Sequence, residues 1–500
     1  MIGRESVPAS VTPSVIEALP PASVGTATVN RRALAALAAH WPRFGLATVL
    51  LLSAALNLIG LNQEGYANTY YAAAVKSMLT GWRNFFFVAF DAGGFVSVDK
   101  PPLGLWLQAA SAKLFGFNGV SLLLPQALAG IAAVALLYWL VRRAWGPAAG
   151  LAAALALAVT PISVVANRNN TSDSVLVLAL LGAAWAVSVA AERGSVRLLL
   201  LGGVLVGLAF NVKMLEAYLI LPALGLVYLL GAPRSRRARL GHLALLGLAT
   251  LVVSFAWVAA VDLTPASARP YVGSSGTNSA LSLVLGYNGL TRLTLALPAG
   301  LREALRFLPG AVDLDVAPAF APQIGDPGLL RLFNDGLAGQ ASWLLALAVA
   351  GLLAAVLVAR WRLPLNREAQ AVVLWGGWLG GAGGFFSVAR FYHLYYLTLL
   401  GPVIAALAGI GLAALWRLWR RGGWWRAPLP LALVGAALVQ ARLLTPYPLW
   451  SGQLSRPVVI VCLAAAVTLA LVHLLPHLAR VAAPLLAATA LLALLVAPLV

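Results

Sequence analysis

Residues 119–168 read GVSLLLPQALAGIAAVALLYWLVRRAWGPAAGLAAALALAVTPISVVANR. Two apolar runs, 119–141 and 146–164, are separated by Arg142 and Arg143, and Arg168 closes the second. Each run is about as long as the ~20-residue helix that crosses a bilayer core. In hydrocarbon every backbone N–H and C=O must be satisfied within the segment, so runs of this kind are helices. The same pattern recurs outward in both directions. The expected spans are 44–61, 119–141, 146–164, 174–191, 196–212, 215–231, 240–261, 341–359, 369–388, 393–416, 428–444, 457–475 and 481–499, thirteen in all. The 500 residues are 61% hydrophobic and 10% charged, whereas a soluble domain carries about 25% charged residues. The expected fold is therefore an all-α polytopic membrane protein. Residues 1–43 hold no apolar run and read as a disordered cytoplasmic tail; the first apolar segment starts too late for a signal peptide.

Two long loops interrupt the helices, 62–118 and 262–340. They divide the chain into a membrane module at 44–261 that contains the first loop, the second loop at 262–340, and C-terminal helices at 341–500. With the N-terminus inside, arginines fill the cytoplasmic connections: Arg142 and Arg143, Arg193 and Arg197, Arg234 to Arg239, Arg360 to Arg367, and Arg417 to Arg426. The short outer connections keep only Arg168, Lys213, Arg390, Arg442 and Arg456. This bias orients the chain. It places both long loops and the C-terminus on the outer side of a plasma membrane. It also explains the net charge of +19 without a nucleic-acid partner. The carboxylates are distributed the other way. Glu64, Asp91, Asp99, Asp173, Glu216, Asp262, Glu303, Asp313, Asp315, Asp326 and Asp335 all fall outside. Loops need charge for solvation, which accounts for the 303–335 group. It accounts less well for Asp99 and Asp173, which adjoin membrane segments. The lone cysteine, Cys462, lies in an apolar run and reads as packing.

Val98-Asp99-Lys100-Pro101-Pro102-Leu103 carries the most chemistry. Proline suits a first helical turn and a preceding Asp can cap it. A helix from Pro101 to about Phe115 would turn its positive end, with Lys100, toward an anion such as phosphate; an ordinary capped interfacial helix uses the same residues. Asn167-Arg168-Asn169-Asn170-Thr171-Ser172-Asp173 sets many hydrogen-bonding groups at a helix mouth. Thr171 or Ser172 would cap the next helix, with Asp173 in its first turn, and an ion pair of Arg168 is the plainer reading. In Arg390-Phe391-Tyr392-His393-Leu394-Tyr395-Tyr396 the tyrosines suit interface anchors. Arg390 and His393 suit a phosphate. Gly65–Leu79 reads as an amphipathic interfacial helix bearing Tyr66, Tyr70, Tyr71 and Val75. Lys213 and Glu216 form a close opposite pair that a structural salt bridge would explain. The segments Gly273–Asn278 and Gly286-Tyr287-Asn288-Gly289 suit turns or sugar hydroxyls. No metalloprotease, nucleotide-loop or dinucleotide fingerprint is present, and the five histidines are scattered.

With these motifs the chain resembles glycosyltransferase family 39 of the C-type superfold, which includes protein O-mannosyltransferases and aminoarabinose–lipid A transferases. Within it the YkcA/YkcB-like bacterial mannosyltransferases are most similar. The resemblance covers residues 44–415. It rests on Tyr70-Tyr71-Ala72-Ala73-Ala74-Val75, Asn84-Phe85-Phe86-Phe87, Asp99-Lys100-Pro101-Pro102, Asn278-Ser279-Ala280-Leu281 and Leu285-Gly286-Tyr287-Asn288-Gly289.

The resemblance implies transfer of a hexose-type sugar, with inversion, from a polyprenyl-phosphate donor to a hydroxyl of a lipid, glycan or protein acceptor, without a nucleotide cofactor. Asp99 matches the acid before Lys-Pro-Pro and Asp173 the second carboxylate. The resemblance also allows a divalent metal cation at these two. Lys100, Arg168, Asn170, Tyr70, Tyr71, Arg390 and His393 are the expected substrate contacts. One position departs. Many members open the first-loop helix with an Asp-Glu pair whose Asp is the base, and here Ala67 and Asn68 stand there. Glu64 and Asp91 are the nearby substitutes, beside Asp99 and Asp173. A transporter or flippase of lipid-linked sugars, or a non-catalytic envelope scaffold, would share the many spans without the transfer.

Overall fold

A computed structural model describes residues 25–289, 292, 324–474 and 476–499. The expected acidic positions Glu303, Asp313 and Asp315 lie outside these. The chain divides into the units Met1–Phe44 and Gly45–Val500. From Gly25 onward it is helical, where a structureless tail to residue 43 was expected; the alanine-rich run around Arg31–Ala39 favours helix.

The helices that frame the site are α1 (Gly25–Leu58), α2 (Thr69–Met78), α3 (Leu103–Phe115), α4 (Gly119–Trp145), α5 (Pro147–Ala158), α6 (Pro161–Asn167), α7 (Asp173–Arg193), α8 (Val196–Lys213), α9 (Leu221–Gly231), α10 (Arg236–Leu263), α11 (Leu345–Val358), α12 (Arg367–Trp378), α13 (Gly401–Arg421) and α14 (Pro428–Leu443). Among the described residues the extended pairing is limited to two isolated bridges. Among the described residues ten helical runs are long and apolar enough to cross a membrane, or eleven if α5 and α6, bent by 61°, make one span.

The expected thirteen spans are therefore not reproduced helix for helix. The runs 196–212 and 215–231 form one helical stretch, Val196–Gly231, which folds back. Along α8, Gly203 O accepts from Thr250 and Asn211 donates to Val253 O, so α8 runs parallel to α10. Tyr218 bonds Ser254 and Tyr228 bonds His242, so the second leg runs antiparallel. The reversal falls at Met214, which adopts φ 51°, a costly conformation for a non-glycine residue. The segment expected at 428–444 is the 16-residue α14. At 1.5 Å per residue such a helix is about 24 Å long, short of the ~30 Å core.

Close helix approach uses small residues, as membrane interfaces do. The span Leu394–Arg421 is the innermost, with 89% of its apolar window buried. A Cβ on Gly351 of α11 would stand 2.4 Å from Gly411 Cα of α13. At the site end, a Cβ on Gly104 of α3 would stand 2.1 Å from Ser172 Oγ. That contact sets the first-loop helix directly on the entrance to α7.

The two loops are joined. Ser97 N donates to Tyr271 O at 2.8 Å and Tyr271 N to Phe95 O at 2.7 Å. The Asn278-Ser279-Ala280-Leu281 motif holds the second loop in place. Asn278 accepts from Arg269 and Val272 N, while Asp262 at the end of α10 receives Ser279 Oγ, Ala280 N and Leu281 N. In the first loop, Phe85 O and Phe86 O accept from Trp106 and Trp257. That ties the Asn84-Phe85-Phe86-Phe87 motif to α3 and α10.

Candidate active site

The helix after Lys-Pro-Pro begins at Leu103, with Pro102 at its cap position and no side-chain cap. Asp99 does not cap it, contrary to expectation. Its carboxylate is instead ion-paired with Lys100, and both residues are buried. Burial opposes the Asp99 charge. The Lys100 ammonium, its hydrogen bond and Arg292 outweigh that and hold the carboxyl below the usual range. Burial likewise opposes the Lys100 charge, but Tyr396, Asp99 and Tyr287 push the ammonium above its ordinary value. The Lys100 ammonium lies 5.5 Å from the Tyr287 ring centre. Asn288 of the second loop donates to Asp99 O at 2.7 Å.

The second carboxylate, Asp173, opens α7 and is 1% exposed. Ser172 holds the cap position without a side-chain cap bond. Lys213, at the end of α8, stands 2.9 Å from Asp173 Oδ1. The contact is an ion pair rather than a directed hydrogen bond. Lys213 therefore pairs with Asp173 and not with Glu216, as its sequence neighbourhood suggested. Its ammonium also lies 3.7 Å from the Tyr396 ring centre and 4.6 Å from that of Tyr395.

Arg292 completes the cluster. It is 3% exposed. It donates to Tyr396 Oη at 3.1 Å and stands 4.8–5.4 Å from the rings of Phe391, Tyr396 and Tyr287. It forms no ion pair among the described residues, and its Nη1 has no hydrogen-bond partner there. Lys213, Glu216, Asn288, Arg292 and Tyr396 line a cavity of about 110 Å³.

Other expected site residues join this cluster in different ways. His393 stacks on Tyr395 at 5.1 Å. Burial, with Lys100, Arg292 and Lys213 nearby, pushes its imidazole down to about 4. It is neutral near pH 7 and supplies no fixed positive charge, a correction to the expected role. Tyr71 is buried in α2, and the half-exposed Tyr70 stacks on Phe90 at 4.9 Å. Burial and the Asp99 charge push the Tyr70 hydroxyl up to about 12, so it stays a neutral donor. Asn170 is fully buried and bonded to the backbone of Asn68. Asn68 caps α2 by accepting from Tyr70 N and Tyr71 N. This cap starts the helix at Thr69 rather than at Gly65.

Four expected residues lie elsewhere. Arg168 is ion-paired to Glu64 at 2.8 Å and donates to Leu56 O and Ile59 O, where α1 leaves carbonyls without helical partners. The plainer ion-pair reading fits Arg168, and Glu64 is spent on it. Asp91 accepts from Phe95 N and Val96 N and shapes the tip of the first loop. Arg390 has an exposed side chain, and its backbone N donates to Arg292 O at 2.9 Å.

Lys213, Glu216, Arg292 and Tyr396 are the members that sequence reasoning did not place here. The available signal was basic residues on a face otherwise poor in them. The divalent metal allowed at Asp99 and Asp173 does not fit the residues present. Each carboxylate already faces a lysine, and among the described residues no three His, Cys, Asp or Glu side chains converge.

Comparison with known proteins identifies the family. Residues 99–258 match the family described as dolichyl-phosphate-mannose-protein mannosyltransferase. The chain is 37% identical to "Putative mannosyltransferase YycA" of Bacillus subtilis (strain 168), over 86% of this chain and 73% of that one. It is 36% identical to "Putative mannosyltransferase YkcB" of the same organism, over 80% and 66%. Among solved structures it resembles ArnT from Cupriavidus metallidurans bound to undecaprenyl phosphate, at TM-score 0.55 and 20% identity, covering 92% of this chain and 76% of that one. It also resembles the oligosaccharyltransferase AglB from Archaeoglobus fulgidus in complex with an inhibitory peptide and a dolichol-phosphate, at TM-score 0.50 and 16% identity, covering 83% and 56%. At those identities the structural likeness concerns the fold alone. The chain belongs to the YycA/YkcB family of mannosyltransferase-like membrane glycosyltransferases, within the family 39-like group of the C-type superfold.

Proposed function

We propose that this membrane glycosyltransferase moves a hexose-type sugar from a polyprenyl-phosphate donor to an acceptor hydroxyl, with inversion, on the non-cytoplasmic side of the plasma membrane. The observation that carries this reading is Arg292: a buried guanidinium without a carboxylate partner among the described residues, opening on a cavity it shares with Lys213. A buried charge is stable only when paired, and a phosphate is the partner this guanidinium suits. The undecaprenyl phosphate of ArnT and the dolichol-phosphate of AglB support that class of donor. The outward orientation rests on the arginine distribution along the sequence.

In this reading Arg292, Lys213 and Lys100 stabilise the departing lipid phosphate. Asp99 is the more accessible of the two paired carboxylates, 9% exposed against 1% for Asp173, and Asn288 ties it to the second loop. It takes the proton of the acceptor hydroxyl. The oxygen bonds to the anomeric carbon, and the bond from that carbon to the phosphate oxygen breaks. Asp173 keeps Lys213 in place. The acceptor is a lipid, glycan or protein.

Purified protein in nanodiscs, given polyprenyl-phosphate mannose and a hydroxyl acceptor, is expected to release polyprenyl phosphate and form a glycoside of opposite anomeric configuration. Mass analysis and anomeric coupling constants read both. Transport of the intact donor across the bilayer with no glycoside formed would refute the proposal in favour of a flippase.

A further inference from the structure

The cavity at the α8 reversal holds more unspent polar capacity than phosphate binding uses. Neither oxygen of Glu216 has a hydrogen-bond donor among the described residues, although the residue is only 9% exposed. In the lining of the same cavity, Arg292 Nη1 is without a hydrogen-bond partner among the described residues, and Lys213 is held by Asp173. A pocket with an unspent Arg292 nitrogen and both Glu216 oxygens unspent, and with the Lys213 ammonium in its lining, complements a ligand that carries an anion and a hydroxyl close together. The cavity volume of about 110 Å³ is several times the ~10–15 Å³ that one water needs by the same measure.

We infer that Glu216 accepts a hydrogen bond from a hydroxyl of the donor sugar, while Lys213 and Arg292 hold the phosphate to which that sugar is attached, and that Glu216 thereby selects the sugar. This rests on the donor class proposed above. Lys213 and Arg292 line the same cavity without an ion pair to Glu216 among the described residues, so a sugar O–H is the donor its oxygens are left to take. Glu216 shares a wall with the phosphate-binding groups. Asn288 lines the same cavity and fixes Asp99 through its backbone carbonyl, so the sugar subsite and the proposed base are held by one second-loop residue.

The test is equilibrium binding to the full chain in nanodiscs, with bare polyprenyl phosphate, polyprenyl-phosphate mannose and polyprenyl-phosphate glucose as probes. In the wild type at least one hexosyl donor is expected to bind about tenfold or more tighter than bare polyprenyl phosphate, as a hydrogen bond to a charged group gives. In E216Q that advantage is expected to shrink, since a neutral amide oxygen still accepts, and in E216A to vanish, with the hexosyl donor binding as bare lipid phosphate does. Equal wild-type affinity for all three probes overturns the inference, as does an advantage that survives both substitutions. Loss of bare polyprenyl-phosphate binding in E216Q overturns it too, because the residue would then be structural. Failure of the wild type to bind polyprenyl phosphate at all is a separate result, and it removes the donor class together with the inference.

Discussion

Asn170 and Asn68 hold each other by a reciprocal pair of hydrogen bonds. Asn68 N donates to Asn170 Oδ1 and Asn170 Nδ2 donates to Asn68 O, each at 2.9 Å. This pair fixes the start of α2 against the entrance to α7. Asn170→Ala leaves the half-buried Asn68 N–H without its partner, while the Asn68 carbonyl keeps its bond from Ala72 N; the lost partner costs about 1–3 kcal/mol. A lower unfolding temperature in detergent is expected, accompanied by lower turnover because α2 carries Tyr70 and Tyr71. An unchanged unfolding temperature would show that the clamp contributes nothing.

Arg292 is the guanidinium assigned to phosphate. Arg292→Ala is expected to lower kcat/KM by about 10²–10³, the loss typical for a donor aimed at developing charge. Arg292→Lys is expected to recover only part of it, since a point charge lacks the planar fork. Steady-state kinetics with a polyprenyl-phosphate sugar decide the matter, and full activity in Arg292→Lys would count against a directed phosphate contact.

Three acidic residues separate by location. Asp99→Asn is expected to reduce kcat by about 10²–10⁴, as loss of a general base does. Glu64→Gln and Asp91→Asn are expected to keep turnover near wild type, because one pairs with Arg168 and the other shapes a loop tip. Comparable loss in Glu64→Gln would move the base to the first turn of the loop.

His393 gives a stability signature. In the folded chain its imidazole protonates only near pH 4, against an ordinary value of 6.5. Between those values the unfolded state binds more protons, so stability falls as pH drops through that window and levels off below it. Thermal unfolding between pH 7.5 and 4.5 is expected to show a decline that is shallower in His393→Gln. Identical slopes in the two proteins would mean that His393 is protonated in the folded state as readily as in the unfolded one.

Lysines occupy the places where a metal would neutralise charge, so turnover is expected to persist after treatment with EDTA. A preparation that loses activity on chelation and regains it with one added divalent cation would contradict the lysine-based account.

The membrane class and much of the site were legible in the sequence because they depend on local chemistry. Run lengths between arginines mark most of the spans, and Asp99-Lys100-Pro101-Pro102 marks the first half of the cluster. The fold-back at Met214 was legible as a short polar break, but its neighbours were not. Lys213 looks toward Glu216 in sequence and toward Asp173 in space, since the reversal brings α8 and α7 ends together. Arg292 carries no local pattern at all; its role depends on Tyr396, 104 residues away. Arg168 was ambiguous between ligand and clamp until the carbonyls ending α1 were seen to lie against it.

The bridge from Asn288 to the Asp99 carbonyl spans 189 residues of sequence. On a growing polypeptide the first loop emerges long before its counterpart, and all the apolar runs between them are synthesised in the interval. During that time Asp99 and Lys100 have each other but neither Tyr287 nor Arg292. Assembly of the candidate site is thus a late event of biogenesis, and a truncation before residue 280 is expected to yield a chain that inserts into lipid yet lacks the Asn288 bridge to Asp99.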